Sequence, residues 1–172
     1  MSDDNGRMRW FSPDPRGIIP IDTFHIPHGL KRTLKRNPFQ VRINTAFEKV
    51  LRGCADRDQT WIDSSIKRSY MALFEAGHAH SVETWLEGAL VGGLYGVSIG
   101  GAFFGESMFS YVSNASKVAL VHLVEQLNKR HFLLLDTQWT TEHLETFGAK
   151  NIPRTEYLVQ LREALEVSTT FI

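Results

Sequence analysis

Two glycine turns between residues 80 and 110 constrain the fold of this chain more than any other sequence feature. Glu87-Gly88 and Gly100-Gly101 separate apolar segments, and glycine readily takes the positive φ that tight turns require. The three separated segments, residues 80–86, 89–99 and 102–110, have the length and apolar content of strands. The sequence therefore predicts a three-stranded antiparallel meander.

Before the meander, the sequence predicts one strand and two helices. Residues 39–43 form the strand, and Asn44 or Thr45 is expected to cap a helix that ends near Arg52. Asp63 precedes a segment whose apolar residues recur on one helical face. Asp63 is therefore expected to cap the second helix.

The longest predicted helix, about residues 114–130, follows the meander. A buried strand at 133–138, a short helix, a last strand near Ile152 and a helix at about 155–165 come after it. This order predicts an α+β fold whose mixed, mostly antiparallel sheet is flanked by helices. By analogy of element order it is GNAT-like, the fold of a large group of acyltransferases, with a cleft where two central strands part.

The chain is expected to divide near residue 37. Residues 1–37 contain four prolines, each of which fixes φ and removes a hydrogen-bond donor, so an irregular basic N-terminal segment is predicted. Residues 38–172 contain all the predicted helices and strands. They are expected to form one GNAT-like catalytic domain.

The charges are distributed unevenly, although the formal net charge is zero. The first 52 residues have ten basic and five acidic side chains, whereas the rest of the chain has nine basic and fourteen acidic ones. The densest basic group is Lys31, Arg32, Lys35 and Arg36, with Arg42 close by. Such a cluster favours contact with the phosphates of a nucleic acid, although a solvated helical turn without a partner explains it equally well.

Several kinds of protein are excluded or not expected. The single cysteine, Cys54, excludes an intramolecular disulfide and a cysteine-rich zinc site. His78 and His80 lack a third ligand at a suitable spacing, so no metal is expected. The turn before the longest helix, residues 110–117, contains no glycine, so a pyrophosphate nest for coenzyme A is not expected either. No apolar run is long enough for a membrane helix, and a cytoplasmic protein is expected.

Two predicted strands carry the side chains best suited to chemistry. Glu106 lies in an apolar strand, where a carboxylate is costly unless it is paired or used. Simple alternation puts Met108 and Ser110 on its face of the strand. Asp136 and Gln138 share a face at the end of the buried strand, where α/β proteins bind ligands. Structural roles in packing and capping are the alternatives for all of these residues.

Eight segments, in this order, closely resemble bacterial leucyl/phenylalanyl-tRNA–protein transferases. Each segment is weak evidence alone, but the ordered set is specific and extends from about Trp10 to Leu161. The segments are residues 10–16 (WFSPDPR), 77–85 (GHAHSVETW), 92–97 (GGLYGV), 105–110 (GESMFS), 115–117 (ASK), 135–138 (LDTQ), 144–149 (LETFGA) and 152–154 (IPR).

The resemblance implies an activity. The family transfers Leu, Phe or Met from an aminoacyl-tRNA to the N-terminal Arg or Lys of a protein, which marks that protein for degradation. The aminoacyl-tRNA is a co-substrate, and no bound cofactor or metal is implied. By the matching motifs, Asp136 and Gln138 correspond to the catalytic pair, and Glu106 to an active-site glutamate near the acceptor.

The resemblance also implies the residues that bind the donor. The residues that correspond to the family's pocket for the aminoacyl side chain are Leu94, Phe103, Met108 and Ser110. Aromatic residues near the 3′ end of the tRNA correspond to Trp61 and Tyr70. We further expect the basic cluster from Lys31 to Arg36, with Arg42, to follow the acceptor stem, which is an inference from charge alone.

Relatives usually carry a further N-terminal domain, which this chain is expected to lack. Two alternatives therefore remain open. One is a tRNA-dependent aminoacyltransferase that uses a different amine acceptor. The other is a module that binds a tRNA end or an N-terminal residue without catalysing transfer.

Overall fold

The computed structural model describes residues 11–56 and 60–172, which form seven strands and six helices. The strands are β1 (Arg16–Ile19), β2 (Gln40–Ile43), β3 (Ala79–Leu86), β4 (Ala89–Ile99), β5 (Ala102–Ser110), β6 (Leu134–Gln138) and β7 (Lys150–Ile152). The helices are α1 (His28–Arg36), α2 (Phe47–Ala55), α3 (Ser64–Glu75), α4 (Ala115–Lys129), α5 (Glu142–Glu145) and α6 (Arg154–Leu165).

The seven strands form one mixed sheet in the order β2-β3-β4-β5-β6-β1-β7. All neighbours are antiparallel except β5 and β6, so the predicted α+β fold with a mostly antiparallel sheet is confirmed. The meander is confirmed too, because β3, β4 and β5 are consecutive antiparallel neighbours. Its first turn has φ values of 49° at Glu87 and 81° at Gly88, and Gly100 in the second turn has a φ of 55°.

The parallel pair produces the predicted cleft. β5 and β6 are paired only where residues 102–104 lie beside residues 134–136. Beyond Phe104, β5 continues along β4 to Ser110, whereas the end of β6 follows β1. The two central strands therefore part in the middle of the sheet.

Helices cover both faces of the sheet. One face, here called the α4 face, packs against α1 and α4 in a large apolar cluster that includes Leu30, Val121 and Phe103. The opposite face, here called the α2 face, packs against α2 and α3 at one end and α6 at the other. No helix in the described ranges has the length and hydropathy required to span a bilayer.

The prediction of an irregular segment up to residue 37 is wrong for part of its length. Residues 16–19 form β1 in the interior of the sheet, between β6 and β7, and residues 28–36 form α1. The prolines border these elements and do not interrupt them, since Pro15 and Pro20 flank β1 and Pro27 precedes α1. Residues 1–10 lie outside the described residues.

The helix caps are only partly as predicted. Asp63 caps α3, since its Oδ1 accepts hydrogen bonds from the amides of Ser65 and Ile66. Neither Asn44 nor Thr45 caps α2, whose N-cap residue is Ala46. The buried carboxylate of Glu83 accepts the Ala46 amide at 2.7 Å and the Thr45 hydroxyl instead. The capping acceptor thus comes from β3, which is remote in sequence.

His80 is a buried histidine that links β3 to β4 and to the loop before α2. Its Nδ1 accepts a hydrogen bond from the Asn44 carboxamide at 3.0 Å, so in the neutral ring Nε2 carries the proton and donates to Ser98 Oγ at 3.0 Å. The ring stacks on Phe171 with a centroid distance of 4.5 Å. Burial, and to a smaller extent His78, lower the pKa of His80 from 6.5 to about 4.

We expect acid to destabilise the protein through His80. Below about pH 6.5 the histidine of the unfolded chain binds a proton that the folded protein excludes until about pH 4. The free energy of unfolding should therefore fall across this window, by up to about 3 kcal/mol. Urea unfolding at a series of pH values would measure the slope, which should shrink in His80→Gln and persist in the exposed control His28→Gln. Equal slopes in the two variants would contradict this assignment.

Candidate active site

A bulge in β5 determines where Glu106 lies. Tyr95 is opposite Ser107 and Gly96 is opposite Gly105, so Glu106 has no partner on β4. The extra residue reverses the alternation of the strand, and Phe103 and Met108 consequently pack in the same cluster on the α4 face. Glu106 interacts with Tyr70 of α3 on the α2 face. The predicted sharing of one face by Glu106 and Met108 is therefore wrong.

A cleft of about 270 Å³ opens where β5 and β6 part. Of the predicted site residues it contains Leu94, Glu106, Met108 and Gln138. The rest of the wall is mainly apolar and comes from β1, β4, β5, β6, α4 and α5, together with the loop before α5. These residues are Ile19, Tyr95, Gly105, Ser107, Leu120, Leu123, Leu135, Thr137, Thr141, His143 and Leu144. The arrangement is an apolar chamber with a carboxyl group and a carboxamide in its wall.

Asp136 lies behind this wall and is completely buried. Its Oδ1 accepts hydrogen bonds from Arg16 Nε at 3.0 Å and from the Gln138 amide at 2.8 Å. Its Oδ2 accepts from Arg16 Nη2 and from the Tyr157 hydroxyl, both at 2.6 Å. We call Arg16, Asp136 and Tyr157 the clamp.

The electrostatics of the clamp keep protons on both of its donors. Burial lowers the pKa of Arg16, but the hydrogen bonds and charge of Asp136 outweigh this, and the pKa lies above its ordinary value. Burial and Asp136 together raise the pKa of Tyr157. The Arg16 guanidinium also lies over the Tyr157 ring, 4.9 Å from its centroid. The clamp therefore holds a charged guanidinium and a neutral phenol.

Gln138 turns sharply at the end of β6. Its φ is 60°, in the left-handed region that few non-glycine residues occupy, and its amide is held by Asp136 Oδ1. Its carboxamide makes no hydrogen bond to other residues in the described ranges, so it is available to a ligand in the cleft. Gly17 of β1 makes room for this turn, since a Cβ on it would lie 2.5 Å from the carbonyl carbon of Trp139.

Glu106 is the titratable carboxyl group of the cleft wall. Burial raises its pKa, the interaction with Tyr70 lowers it, and the charge of Asp136 raises it again, with a net increase. Burial and Glu106 raise the pKa of Tyr70, so its hydroxyl remains a donor. Glu106 is thus a partly desolvated carboxyl group that is suited to binding a cation.

Other predicted site residues lie away from the cleft wall. Phe103 is fully buried behind it and packs against Phe171. Ser110 is exposed, and its hydroxyl accepts the amide of Ser116 in the first turn of α4, at 3.2 Å. Trp61 packs half-buried in the apolar cluster of α2 and α3. Trp10, where the resemblance begins, lies outside the described residues.

The predicted basic cluster is split between the two faces of the sheet. Lys31, Arg32, Lys35 and Arg36 are exposed on α1, which packs on the α4 face. Arg42 points to the α2 face, because its neighbours Val41 and Ile43 pack on the α4 face and its guanidinium lies over Trp85 at 4.7 Å. Arg42 is therefore not part of the α1 surface.

Sequence reasoning missed Arg16, Tyr157 and His143. Arg16 and Tyr157 lie 120 and 21 positions from Asp136, and no local pattern connects either of them with it. The sequence signal that could have indicated these two residues is their motifs, Pro-Asp-Pro-Arg and Ile-Pro-Arg-Thr-Glu-Tyr, which border the sheet.

Within residues 11–56 and 60–172 there is no group of three His, Cys, Asp or Glu side chains that could hold a metal.

Comparisons with known proteins agree on one family. A model of the leucyl/phenylalanyl-tRNA protein transferases matches residues 18–162. A protein of Salinibacter ruber named leucyl/phenylalanyl-tRNA–protein transferase is 58% identical over 166 residues, which are 96% of this chain and 74% of the relative. Proteins of the same name from Gloeobacter violaceus and Paramagnetospirillum magneticum are 53% and 52% identical, cover 96% and 99% of this chain, and match over 86% and 83% of their own length.

Proposed function

Because the chain belongs to the leucyl/phenylalanyl-tRNA–protein transferase family, and is thus a tRNA–protein aminoacyltransferase, we propose that its acceptor is a protein with N-terminal Arg or Lys. The donated residue is Leu or Phe, or Met. The new N-terminal residue marks the acceptor for degradation, and the reaction takes place in the cytoplasm without a bound cofactor.

The observation that carries this proposal is the combination of groups in the cleft between β5 and β6. The apolar wall, with Leu94, Met108 and Leu123 among its members, suits an aliphatic or aromatic side chain of the donor. Glu106 is the desolvated carboxyl group that pairs as an anion with the Arg or Lys side chain of the acceptor, whose positive charge offsets the burial that raises the pKa of Glu106. Gln138 contributes a carboxamide to the wall of the same cleft.

The proposed reaction needs orientation more than covalent catalysis, because an aminoacyl ester is already activated. The α-amine of the acceptor attacks the carbonyl carbon of the ester, a peptide bond forms, and the bond to the ribose oxygen breaks. One proton leaves the amine, and the released ribose hydroxyl gains one. The Gln138 carboxamide oxygen accepts a hydrogen bond from the amine and orients its lone pair. Asp136 contributes by holding Gln138.

The tRNA is proposed to lie along α1. From Thr23 to Ala46 the sequence has no acidic residue, and four cations of α1 are exposed. α1 is fixed to the α4 face by Leu30 and by a 3.2 Å hydrogen bond from the Asn114 carboxamide to Thr33 Oγ1. A rigid basic surface of this kind suits the phosphates of an acceptor stem. Tyr70, beside Glu106, is the proposed aromatic neighbour of the tRNA 3′ end.

We expect the enzyme to transfer labelled leucine from leucyl-tRNA to a peptide with N-terminal Arg about tenfold faster than to the same peptide with N-terminal citrulline. Citrulline has nearly the size of Arg but no charge, so the ratio isolates the contribution of a charge-assisted pair with Glu106. Glu106→Gln should bring the ratio close to one. Equal rates with the wild-type enzyme would contradict a cationic acceptor, and tRNA binding without transfer to any peptide would contradict the proposal altogether.

A further inference from the structure

The carboxylate of Asp136 has no free position at which to receive a proton. A carboxylate offers about four lone-pair sites, and four donors occupy them: two from Arg16, one from Tyr157 and the amide of Gln138. The side chain is also entirely buried, so neither water nor a substrate amine reaches it without breaking one of these bonds. Direct proton abstraction by Asp136 would require the clamp to open.

The donors of the clamp cannot relay a proton either. A guanidinium does not deprotonate in proteins, and both burial and Asp136 hold the proton on the Tyr157 phenol. The remaining donor to the Asp136 carboxylate is the backbone amide of Gln138, which is not part of the clamp. A chain of proton transfers from the cleft through Asp136 therefore has no acceptor at its end.

The clamp is instead connected to the geometry of Gln138. The left-handed φ of 60° is a strained conformation for glutamine, and such a conformation persists only where its surroundings determine it. The bond from the Gln138 amide to Asp136 Oδ1 does this, and Arg16 fixes the same oxygen from β1. In turn Tyr157 fixes Oδ2 from α6. Three separate elements of the fold thus converge on the backbone of one cleft residue.

We propose that Arg16 and Tyr157 are positioning residues that act through Asp136 to hold the Gln138 carboxamide in the cleft, and that Asp136 does not receive the proton of the attacking amine. The inference rests on the proposed function, because it assigns parts within the same transfer site. It extends the support that Asp136 gives Gln138 to Arg16 and Tyr157, and it excludes Asp136 from the proton transfer. It also adds two side chains, from β1 and α6, to the residues on which the rate of transfer depends.

Tyr157→Phe is the most selective test, because it removes one hydrogen bond and keeps the aromatic ring under Arg16. We expect kcat to fall about tenfold, the effect of losing one buried hydrogen bond to a charged group, with KM for both substrates changed less than twofold. Tyr111→Phe is the matched control, since it deletes a hydroxyl that donates to the exposed carboxylate of Asp56 at 3.0 Å. The control should keep the wild-type kcat.

The dependence of kcat on pH distinguishes a positioning role of Asp136 from a role as the base that receives the proton. Tyr157→Phe frees a lone pair on Asp136 Oδ2, so a base at Asp136 would gain access and the acidic limb of the kcat profile would move. The proposal expects the limb to stay in place in Tyr157→Phe and in Asp136→Asn while kcat falls. Arg16→Lys keeps the positive charge but loses the geometry of two hydrogen bonds to Asp136. Its kcat should lie between those of the wild type and Arg16→Gln.

The possible outcomes are distinct. A Tyr157→Phe enzyme with wild-type kcat would overturn the inference. So would a shift of the acidic limb of the kcat profile in Tyr157→Phe or Asp136→Asn, or a Tyr157→Phe enzyme whose KM changes while its kcat does not. A fall in kcat that accompanies an equal loss of folded protein in a thermal melt would assign Tyr157 to stability and would overturn it too. Absence of transfer by the wild-type enzyme, in contrast, would refute the proposed function itself.

Discussion

Asp136→Ala is expected to reduce kcat for leucine transfer by about a thousandfold, the order of loss expected when essential positioning fails. The substitution removes the acceptor of four hydrogen bonds at once. It leaves the Arg16 guanidinium, only 13% exposed, without a counter-charge, and it releases the Gln138 backbone from its left-handed turn. Breaking a buried ion pair from one side also costs about 3–5 kcal/mol of stability.

Single-turnover transfer and urea unfolding together would measure both effects. Asp56→Ala is the control, because the Asp56 carboxylate also accepts a tyrosine hydroxyl but lies exposed on the protein surface. Asp136→Asn preserves the side-chain volume and one carbonyl acceptor, so this variant should fold. Its kcat and its free energy of unfolding should lie between those of the wild type and those of Asp136→Ala. Retention of a tenth or more of wild-type kcat by a folded Asp136→Ala would show that the clamp is not essential.

Gly17→Ala is expected to lower transfer about a hundredfold, although Gly17 is not a cleft residue. A Cβ at this position would lie 2.5 Å from the Trp139 carbonyl carbon and 2.7 Å from the Thr140 amide nitrogen. These are backbone atoms, which cannot rotate away, so the end of β6 must move. A displacement of about 1 Å at a positioning residue is enough for a hundredfold loss, and overpacking should cost about 1–3 kcal/mol of stability.

Gly29→Ala is the matched control, because a Cβ at this position in α1 meets no atom within 4 Å. Alanine favours a helix over glycine by about 1 kcal/mol, so this variant should be slightly more stable than the wild type, and its kcat at saturating leucyl-tRNA should be unchanged. The same urea and transfer measurements apply to both variants. If Gly17→Ala behaved like Gly29→Ala, the close approach of β1 to the Gln138 turn would have no bearing on the site.

Local signals account for most of the fold that could be predicted. The meander follows from Glu87-Gly88 and Gly100-Gly101, because turn chemistry acts between neighbouring residues. Asp63 was identified as a cap for the same reason. β1 was missed because four residues between prolines carry too little periodic signal, and they form a strand only where β6 and β7 provide partners.

Parts of the candidate site were also visible in the sequence. Glu106 and Gln138 were selected as polar side chains in or at the end of apolar strands, and the cleft contains both. The bulge at Glu106 was not predictable from alternation, because it depends on how β5 pairs with β4. It directs Glu106 to Tyr70 on one face while Phe103 and Met108 pack on the other.

The sequence by itself determined the meander, the cap of α3 and the identity of the polar groups at the strand ends, because these depend on contacts a few residues apart. Only the tertiary structure decided that Arg16 and Tyr157 meet on Asp136 and that Gly17 admits the turn at Gln138. Those contacts join residues up to 123 positions apart. They exist because β1 pairs with β6 and α6 packs across both strands of the parallel pair, so long-range packing, and not local preference, sets the geometry of the site.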